Sequence, residues 1–273
     1  MSLKGIAKST LEILDKGGYK SPSLWISVKE EQERAISETK LYTPPQLSAL
    51  SLSDNLTGAP ATVEVAKGST QEIAYGLVTE QGINDLVLLN FASARNPGGG
   101  FVNGAKAQEE DLCRCSGLYP CLVTQPEYYE VNRKQKSLLY TDHLIYSPGV
   151  PWFRVKSREL LDEMFTASVI TAPAPNAGQI MLKQAQSIPD IEASLRIRSG
   201  MILQVARDNG HRNILLGAWG CGVFRNNPNM VADAFGQWIE SENFAGAFDR
   251  IVFGILDRSK SGETFTAFQQ RFK

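Results

Sequence analysis

Two adjacent carboxylates, Glu109 and Glu110, follow Gln108, which seven residues separate from a glycine triplet, Gly98-Gly99-Gly100. A carboxylate beside bound phosphate is pushed toward its protonated form by like charge. It can then serve as an acid and afterwards deprotonate water. Neighbouring residues on a helix do not share a face, so one Glu can reach a substrate from the helix start while the other addresses a hydroxyl from the side. Spacing alone leaves a second reading equally open, namely acidic residues set against the dipole of a helix start.

The triplet closes a loop running from Asn90 to Gly100 (NFASARNPGGG), and a second glycine loop runs from Gly217 to Phe224 (GAWGCGVF). Each follows a near-continuous apolar run, Asp85 to Phe91 and Asn213 to Gly217, as strands buried on both faces do. Ligands of open α/β sheets sit beyond the carboxyl ends of such strands, and glycines let a backbone approach phosphate closely. Two such loops point to a diphosphate held between them. Neither fits the dinucleotide fingerprint, since Asn103 stands where its last glycine would fall, and no Gly-Lys-Ser/Thr P-loop is present.

The elements needed to carry these loops alternate along the chain. Helical spacing of Ile6, Thr10, Ile13 and Leu14 predicts a helix ended by Gly17-Gly18, with a short strand over Ser23 to Ser27 and a solvated helix over Val28 to Lys40. Pro44-Pro45 reads as a break. Residues 1–45 are expected to be a mostly helical extension, and 46–273 the ligand-binding catalytic domain. Beyond the break, strands are expected over Thr62 to Ala66, Asp85 to Phe91, Asp142 to Tyr146, Ser168 to Ala174, Asn213 to Gly217 and Arg250 to Leu256. Helices are expected from Ser69 or Thr70 to Gln81, Ala107 to Cys115, Ile191 to Asn209, Pro228 to Ser241 and Thr264 to Phe272, with Pro175 to Gly178 as a loop. Alternation of this kind implies an α/β sandwich with a mixed or mostly parallel sheet.

The 273 residues carry a net charge of -1, so there is no global basic field for nucleic acid or an anionic membrane, and a polyanion must be gripped locally. Arg95, Lys106, Arg114 and Arg225 lie near the two loops and could do so. No apolar run approaches the length of a membrane span, and the first residues lack a signal-peptide core. Cys113, Cys115 and Cys121 fall in a C-x-C-x5-C pattern that does not match zinc spacing and has no nearby His. They read, with Cys221, as free thiols packed in a reducing cytosol. His143 and His211 are the only histidines, which disfavours Ser-His or Cys-His nucleophile chemistry. Trp219 reads as core.

The run Asn96 to Gly100, its seven-residue gap and Gln108-Glu109-Glu110 resemble the signature of poly(ADP-ribose) glycohydrolases, and the chain is most similar to their microbial type. Similar stretches are Leu89 to Leu122, Tyr140 to Arg154, Val169 to Gly178 and Leu215 to Asn227. The resemblance implies a macrodomain-like three-layer α/β/α sandwich with a mixed sheet. It further implies hydrolysis of the ribose–ribose O-glycosidic bond of poly(ADP-ribose), in an exo-acting manner, with ADP-ribose as product. It assigns Glu110 as catalytic acid/base and Glu109 to the hydroxyls of the scissile ribose. Gly98, Gly99 and Gly100 line the catalytic loop near the diphosphate, and Gln108 counts among the substrate-binding residues. Gly220, Cys221, Gly222 and Val223 form the diphosphate loop, Phe224 flanks the terminal ribose, and Asn90 touches ribose or fixes the loop. Ser93 stands where related enzymes can carry Asn. No metal, cofactor, membrane contact or sequence-specific nucleic-acid binding is implied. The other readings are hydrolysis of single ADP-ribose units from protein or nucleic acid, and non-catalytic ADP-ribose reading.

Overall fold

The computed structural model describes residues 1–50, 59–156 and 159–273. Helix α1 (Leu3–Lys16) opens on Ser2, whose hydroxyl accepts the Gly5 amide at 3.1 Å, and stops at Gly17 in the left-handed conformation. A two-strand hairpin, β1 (Gly18–Lys20) and β2 (Trp25–Ser27), leads to α2 (Lys29–Glu38), β3 (Lys40–Tyr42) and α3 (Pro44–Ala49). Then come β4 (Thr62–Lys67), α4 (Thr70–Tyr75), β5 (Leu86–Phe91), α5 (Gln108–Cys115), α6 (Leu118–Val123), α7 (Pro126–Lys134), β6 (Leu144–Trp152) and β7 (Phe165–Ala172). The chain finishes with α8 (Ala177–Lys183), α9 (Asp190–Asp208), β8 (Asn213–Gly217), α10 (Pro228–Ile239), β9 (Arg250–Ile255) and α11 (Glu263–Arg271).

Seven strands form one mixed sheet in the order β3-β6-β7-β5-β8-β9-β4. From β7 to β4 every pairing is parallel, whereas β6 is antiparallel to both of its neighbours. Alternation along the central strands feeds two cores. Val87 and Leu89 of β5, Ile214 and Leu216 of β8 and Phe253 of β9 face the layer holding α9, α10 and α11. Leu86, Leu88, Leu215 and Val252 face the opposite layer with Leu112 of α5 and Leu118 of α6. Each central strand is therefore apolar on both faces, which is why these runs were continuous in sequence.

Several expectations need correction. Pro44-Pro45 does not break the chain but opens α3, because proline suits the first helical turn, where its missing N–H is not required. The segment read as a loop at Pro175 to Gly178 enters α8, capped by the Asn176 side chain accepting from the Gln179 amide at 3.1 Å. The helix over 70–81 is α4 followed by a π-helical turn at Gly76–Glu80. Strand β6 runs on through Pro148 and Pro151. Its pairing with β3 ends at Tyr146 and the register with β7 shifts between Ser147 and Val150, so Pro148 falls in the irregular stretch; Pro151 pairs with Thr166 but turns its carbonyl to the Gly117 amide, away from β7. Helices α6 and α7 were not foreseen.

The first forty residues are tied to the rest by buried polar contacts. Thr10 Oγ1 donates to the Arg114 carbonyl at 2.7 Å, and the Arg154 guanidinium donates to Thr10 Oγ1 at 2.8 Å and to the Arg114 carbonyl at 3.2 Å. Strand β3 extends the main sheet at one edge.

Candidate active site

A cavity of about 620 Å³ opens at the carboxyl ends of β4, β5, β8 and β9, where ligands of such sheets are expected. One end is walled by Gly68 to Gln71 after β4 and by Leu256, Asp257 and Arg258 after β9; the other by Phe91 to Ser93 after β5 and by Gln108 to Asp111 of α5. The loop following β8 supplies Gly220, Cys221, Gly222, Val223 and Phe224 between them.

Gln108 fixes the start of α5. Its carbonyl oxygen accepts the Phe91 amide at 2.9 Å, and its amide nitrogen donates to the Leu89 carbonyl at 2.9 Å and to Thr70 Oγ1 at 3.1 Å. One side chain thus docks the helix across the end of β5 and onto the start of α4, with the two carboxylates next in line. Glu109 is 2 % exposed and uses both oxygens: Oε1 accepts from Asn90 Nδ2 at 3.2 Å, Oε2 from the Ser93 amide at 2.7 Å. Burial pushes its acid up to about 8, against the pull of the Ser93 and Asn90 donors, and the neighbouring Glu110 charge pushes the same way as burial. Glu110 is held by one contact, Oε1 accepting the Gly100 amide at 2.9 Å; among the described residues its other oxygen has no hydrogen-bond partner. Both carboxylates border the cavity.

Gly99 makes this arrangement possible. It sits at φ 57°, and a Cβ there would run into the Glu110 carboxylate and lie 3.2 Å from Glu109 Oε2. In the other loop Gly220 has φ 73°, and a Cβ would lie 2.5 Å from both Ala174 Cβ and Asn226 Nδ2. Asn226 closes that loop, donating to the Gly220 carbonyl at 3.1 Å and the Pro175 carbonyl at 2.8 Å.

Of the residues singled out in the sequence, Gln108, Glu109, Glu110, Gly220, Cys221, Gly222, Val223 and Phe224 meet at the cavity. Asn90, Gly98, Gly99 and Gly100 stand behind its wall. Asn90 is buried at the end of β5, donating to Glu109 and, at 3.1 Å, to Thr171 Oγ1. The Ser93 hydroxyl faces its own loop, accepting the Arg95 and Asn96 amides at 3.3 and 3.2 Å, while its amide serves Glu109. Arg114 does not reach a polyanion. It is fully buried, pairing with Asp111 and donating to the Ala105 carbonyl at 2.8 Å. Trp219 is buried in the core, its indole donating to the Ala172 carbonyl at 3.0 Å.

All four cysteines are free, and three are packed in the core. Burial raises the thiols of Cys115 and Cys221 to about 12, so neither is a thiolate near neutral pH. Among the described residues no three His, Cys, Asp or Glu side chains are grouped to hold a metal ion. Sequence reasoning missed the cavity wall after β4 and β9, including Gln71, Asp257 and Thr264, and the loop clamp Asn226. The signal available for Asp257 was an acidic residue just past a buried strand; its carboxylate accepts the Ser259 and Phe265 amides at 2.9 and 3.1 Å.

A mixed sheet between two helical layers, opening at its strand ends onto a cleft with two glycine loops and an acidic pair, is a macrodomain-like architecture. The sequence model of the microbial-type PARG catalytic domain, PARG being poly(ADP-ribose) glycohydrolase, matches residues 7–155. The chain is also similar to the solved poly(ADP-ribose) glycohydrolase of Thermomonospora curvata bound to the inhibitor ADP-HPD, with 40% identity over 99% of each chain and a TM-score of 0.90. The Deinococcus radiodurans enzyme in complex with ADP-ribose is 41% identical over 93% of this chain and 99% of that one, with a TM-score of 0.83. Comparison with curated proteins gave no match. The chain belongs to the microbial-type poly(ADP-ribose) glycohydrolase family.

Proposed function

We propose that this protein hydrolyses the ribose–ribose O-glycosidic bond of poly(ADP-ribose) and releases ADP-ribose, with Glu110 as the acid and base. The observation that carries the assignment is the unequal tethering of the two carboxylates. Glu109 has both oxygens committed to Asn90 and Ser93, whereas Glu110 is anchored at one oxygen by Gly100 and keeps the other available. A group that must give a proton to a leaving oxygen and then take one from water needs a free oxygen on a fixed carboxylate.

The ligand lies with its reacting ribose beside Glu109 and Glu110, its diphosphate along Gly220 to Val223, and its adenosine toward Gln71 and Asp257. Cleavage at the anomeric carbon passes through an oxocarbenium-like state. Glu110 gives its proton to the glycosidic oxygen as the bond to the anomeric carbon breaks, so that oxygen leaves as a hydroxyl, and the carboxylate then takes a proton from the attacking water. The diphosphate, folded close to the ribose, stabilises the positive charge that develops. Glu109 positions the ribose hydroxyls, with Phe224 at the ribose flank. The buried backs of the loops, Asn90 and Gly98 to Gly100, hold the carboxylates rather than the ligand. No residue role in this scheme calls for a metal or a redox cofactor. Residues 1–45 act as an extension bracing the catalytic domain, 46–273, through Thr10 and Arg154. Attack from the chain end is the exo mode expected of a cavity that takes one ADP-ribose. Four free thiols support a reducing compartment, the cytoplasm, as the site of action.

The deciding experiment is product analysis on purified protein given poly(ADP-ribose) or, separately, mono-ADP-ribosylated protein. Free ADP-ribose from the polymer alone is expected. Release from the modified protein alone would support the mono-ADP-ribosyl hydrolase reading, and binding without release a reader. Glu110→Gln should lower kcat by about a thousandfold, close to 4 kcal/mol of barrier, while ADP-ribose still binds. Near-normal turnover in that variant refutes the role of Glu110.

A further inference from the structure

A second, smaller cavity of about 190 Å³ lies next to the first and shares Val223 with it. Its wall is Asn176, Gly178, Gln179 and Leu182 around the start of α8, with Arg225 from the loop after β8. At that volume it is below the roughly 300–1,000 Å³ of a self-sufficient ligand pocket. It suits part of a ligand anchored elsewhere.

The sheet order says which part. The main cavity covers the ends of β4, β9, β8 and β5, with the two carboxylates over β5. Helix α8 follows β7, the next strand beyond β5. A ligand whose reacting ribose sits at Glu109 and Glu110, with its diphosphate along the loop after β8, therefore extends its adenosine away from α8. What stands on the other side of the bond to be cut faces α8.

The chemistry of the wall fits that other side. Leu182 and Val223 are each 74% exposed, an apolar pair suited to a flat heterocycle. Among the described residues the Arg225 guanidinium makes no hydrogen bond or ion pair, although Arg225 occupies the left-handed region at φ 57°, an unusual conformation for a residue with a side chain. Its stem rests on the backbone of Gly178. A Cβ at Gly178 would lie 3.1 Å from Arg225 Cδ, so glycine there leaves room for the arginine to lie along α8. A strained backbone, a cleared groove and an unpaired cation converge beside Phe224, the residue placed at the ribose flank, whose carbonyl accepts the Gly178 amide at 2.9 Å.

We propose that this cavity is a subsite for the leaving unit of poly(ADP-ribose): its adenine lies against Leu182 and Val223, and its diphosphate meets the Arg225 guanidinium. This rests on the polymer-hydrolase reading and goes beyond it, because it makes the enzyme sense two successive units.

Affinities of Glu110→Gln for ADP-ribose and for a two-unit poly(ADP-ribose) oligomer, measured by calorimetry, test it. The oligomer should bind at least fivefold more tightly than ADP-ribose. Adding Arg225→Glu should erase that preference and leave the Kd for ADP-ribose within twofold; Arg225→Lys should keep part of it. Leu182→Asp, at a largely exposed position of the cavity wall, should weaken only the oligomer. Equal affinity of Glu110→Gln for both compounds, or an unchanged preference in Arg225→Glu and Leu182→Asp, overturns the subsite. Failure of the hydrolase reading looks different: the wild-type protein would free no ADP-ribose from polymer, while the affinities still decide the subsite. If Glu110→Gln binds neither compound, both readings fall.

Discussion

The two glycine loops look alike in sequence and are held in opposite ways. The loop before α5 is built from behind. Gly98 is buried, Gly99 backs onto the carboxylates, Gly100 donates to Glu110, and Arg114 of α5 holds the Ala105 carbonyl. At Gly104 a Cβ would lie 2.8 Å from the Lys4 nitrogen, so α1 presses on the same loop. The loop after β8 instead borders the cavity with its tip, from Gly220 to Phe224, and is tied down at Trp219, at Asn226 and through the Phe224 carbonyl, which accepts the Gly178 amide at 2.9 Å. A Cβ at Gly222 would meet nothing within 4 Å. In the first loop glycine makes room for protein charge. In the second, Gly222 leaves the rim of the cavity clear. The same residue type backs a pair of carboxylates in one place and opens a cavity rim in the other.

Substituting the glycines tests this contrast most sharply. Gly99→Ala should lower kcat at least a hundredfold, since displacing a catalytic group by about 1 Å can cost that much. It should also lose about 1–2 kcal/mol from the left-handed backbone alone. Both are read from kinetics and denaturant unfolding of the same sample. A Gly99→Ala protein of wild-type activity would break the comparison.

The next effect is on stability against pH. The Glu109 acid lies at about 8 in the folded chain and near 4.5 when free. Between these values the native state holds a proton that the unfolded state has lost. Stability therefore falls as pH rises through that window, by up to about 1.4 kcal/mol per pH unit, and is flat above it. Glu109→Gln carries no such proton, so its unfolding midpoint should decline much less from pH 5 to 8. Parallel curves for the two proteins would show that Glu109 is not held as a buried acid.

Smaller changes separate clamp from rim. Asn226→Ala removes two buried hydrogen bonds and should cost about 1–3 kcal/mol of stability, with ADP-ribose affinity down about tenfold as the second loop loosens. Gly222→Ala should leave the melting temperature within about 2 °C of wild type, while weakening ADP-ribose several-fold by placing a methyl where the diphosphate lies. A large stability loss in Gly222→Ala, or none in Asn226→Ala, would reverse the assignment of which part of that loop is structural.

How much of this could be read from the chain alone depends on the range of the interaction. The doubly apolar runs at Leu86 to Phe91 and Asn213 to Gly217 announced central strands, because burial on both faces leaves no polar positions to interrupt them. The Ser69–Glu72 capping box and Pro228 at the start of α10 were equally local signals. Helices α6 and α7, of six and nine residues, are too short for a period to stand out, and Pro120 and Pro126 look like breaks in the sequence. Strand β6 outruns the segment expected at Asp142 to Tyr146, because its prolines look like terminators until its pairing partners are known.

Residue types and spacing determined that an acidic pair, two glycine turns and an α/β sandwich belong together, since each follows from neighbours within about ten positions. Which carboxylate keeps a free oxygen, and that Arg114 braces the helix while Arg225 lines a second cavity, only the folded chain decided. Those outcomes turn on hydrogen bonds and clearances between segments far apart in sequence: Thr70 with Gln108, Asn90 with Thr171, Gly178 with Arg225. Contacts of that range have no periodicity to betray them and exist only once the sheet has set its strand order.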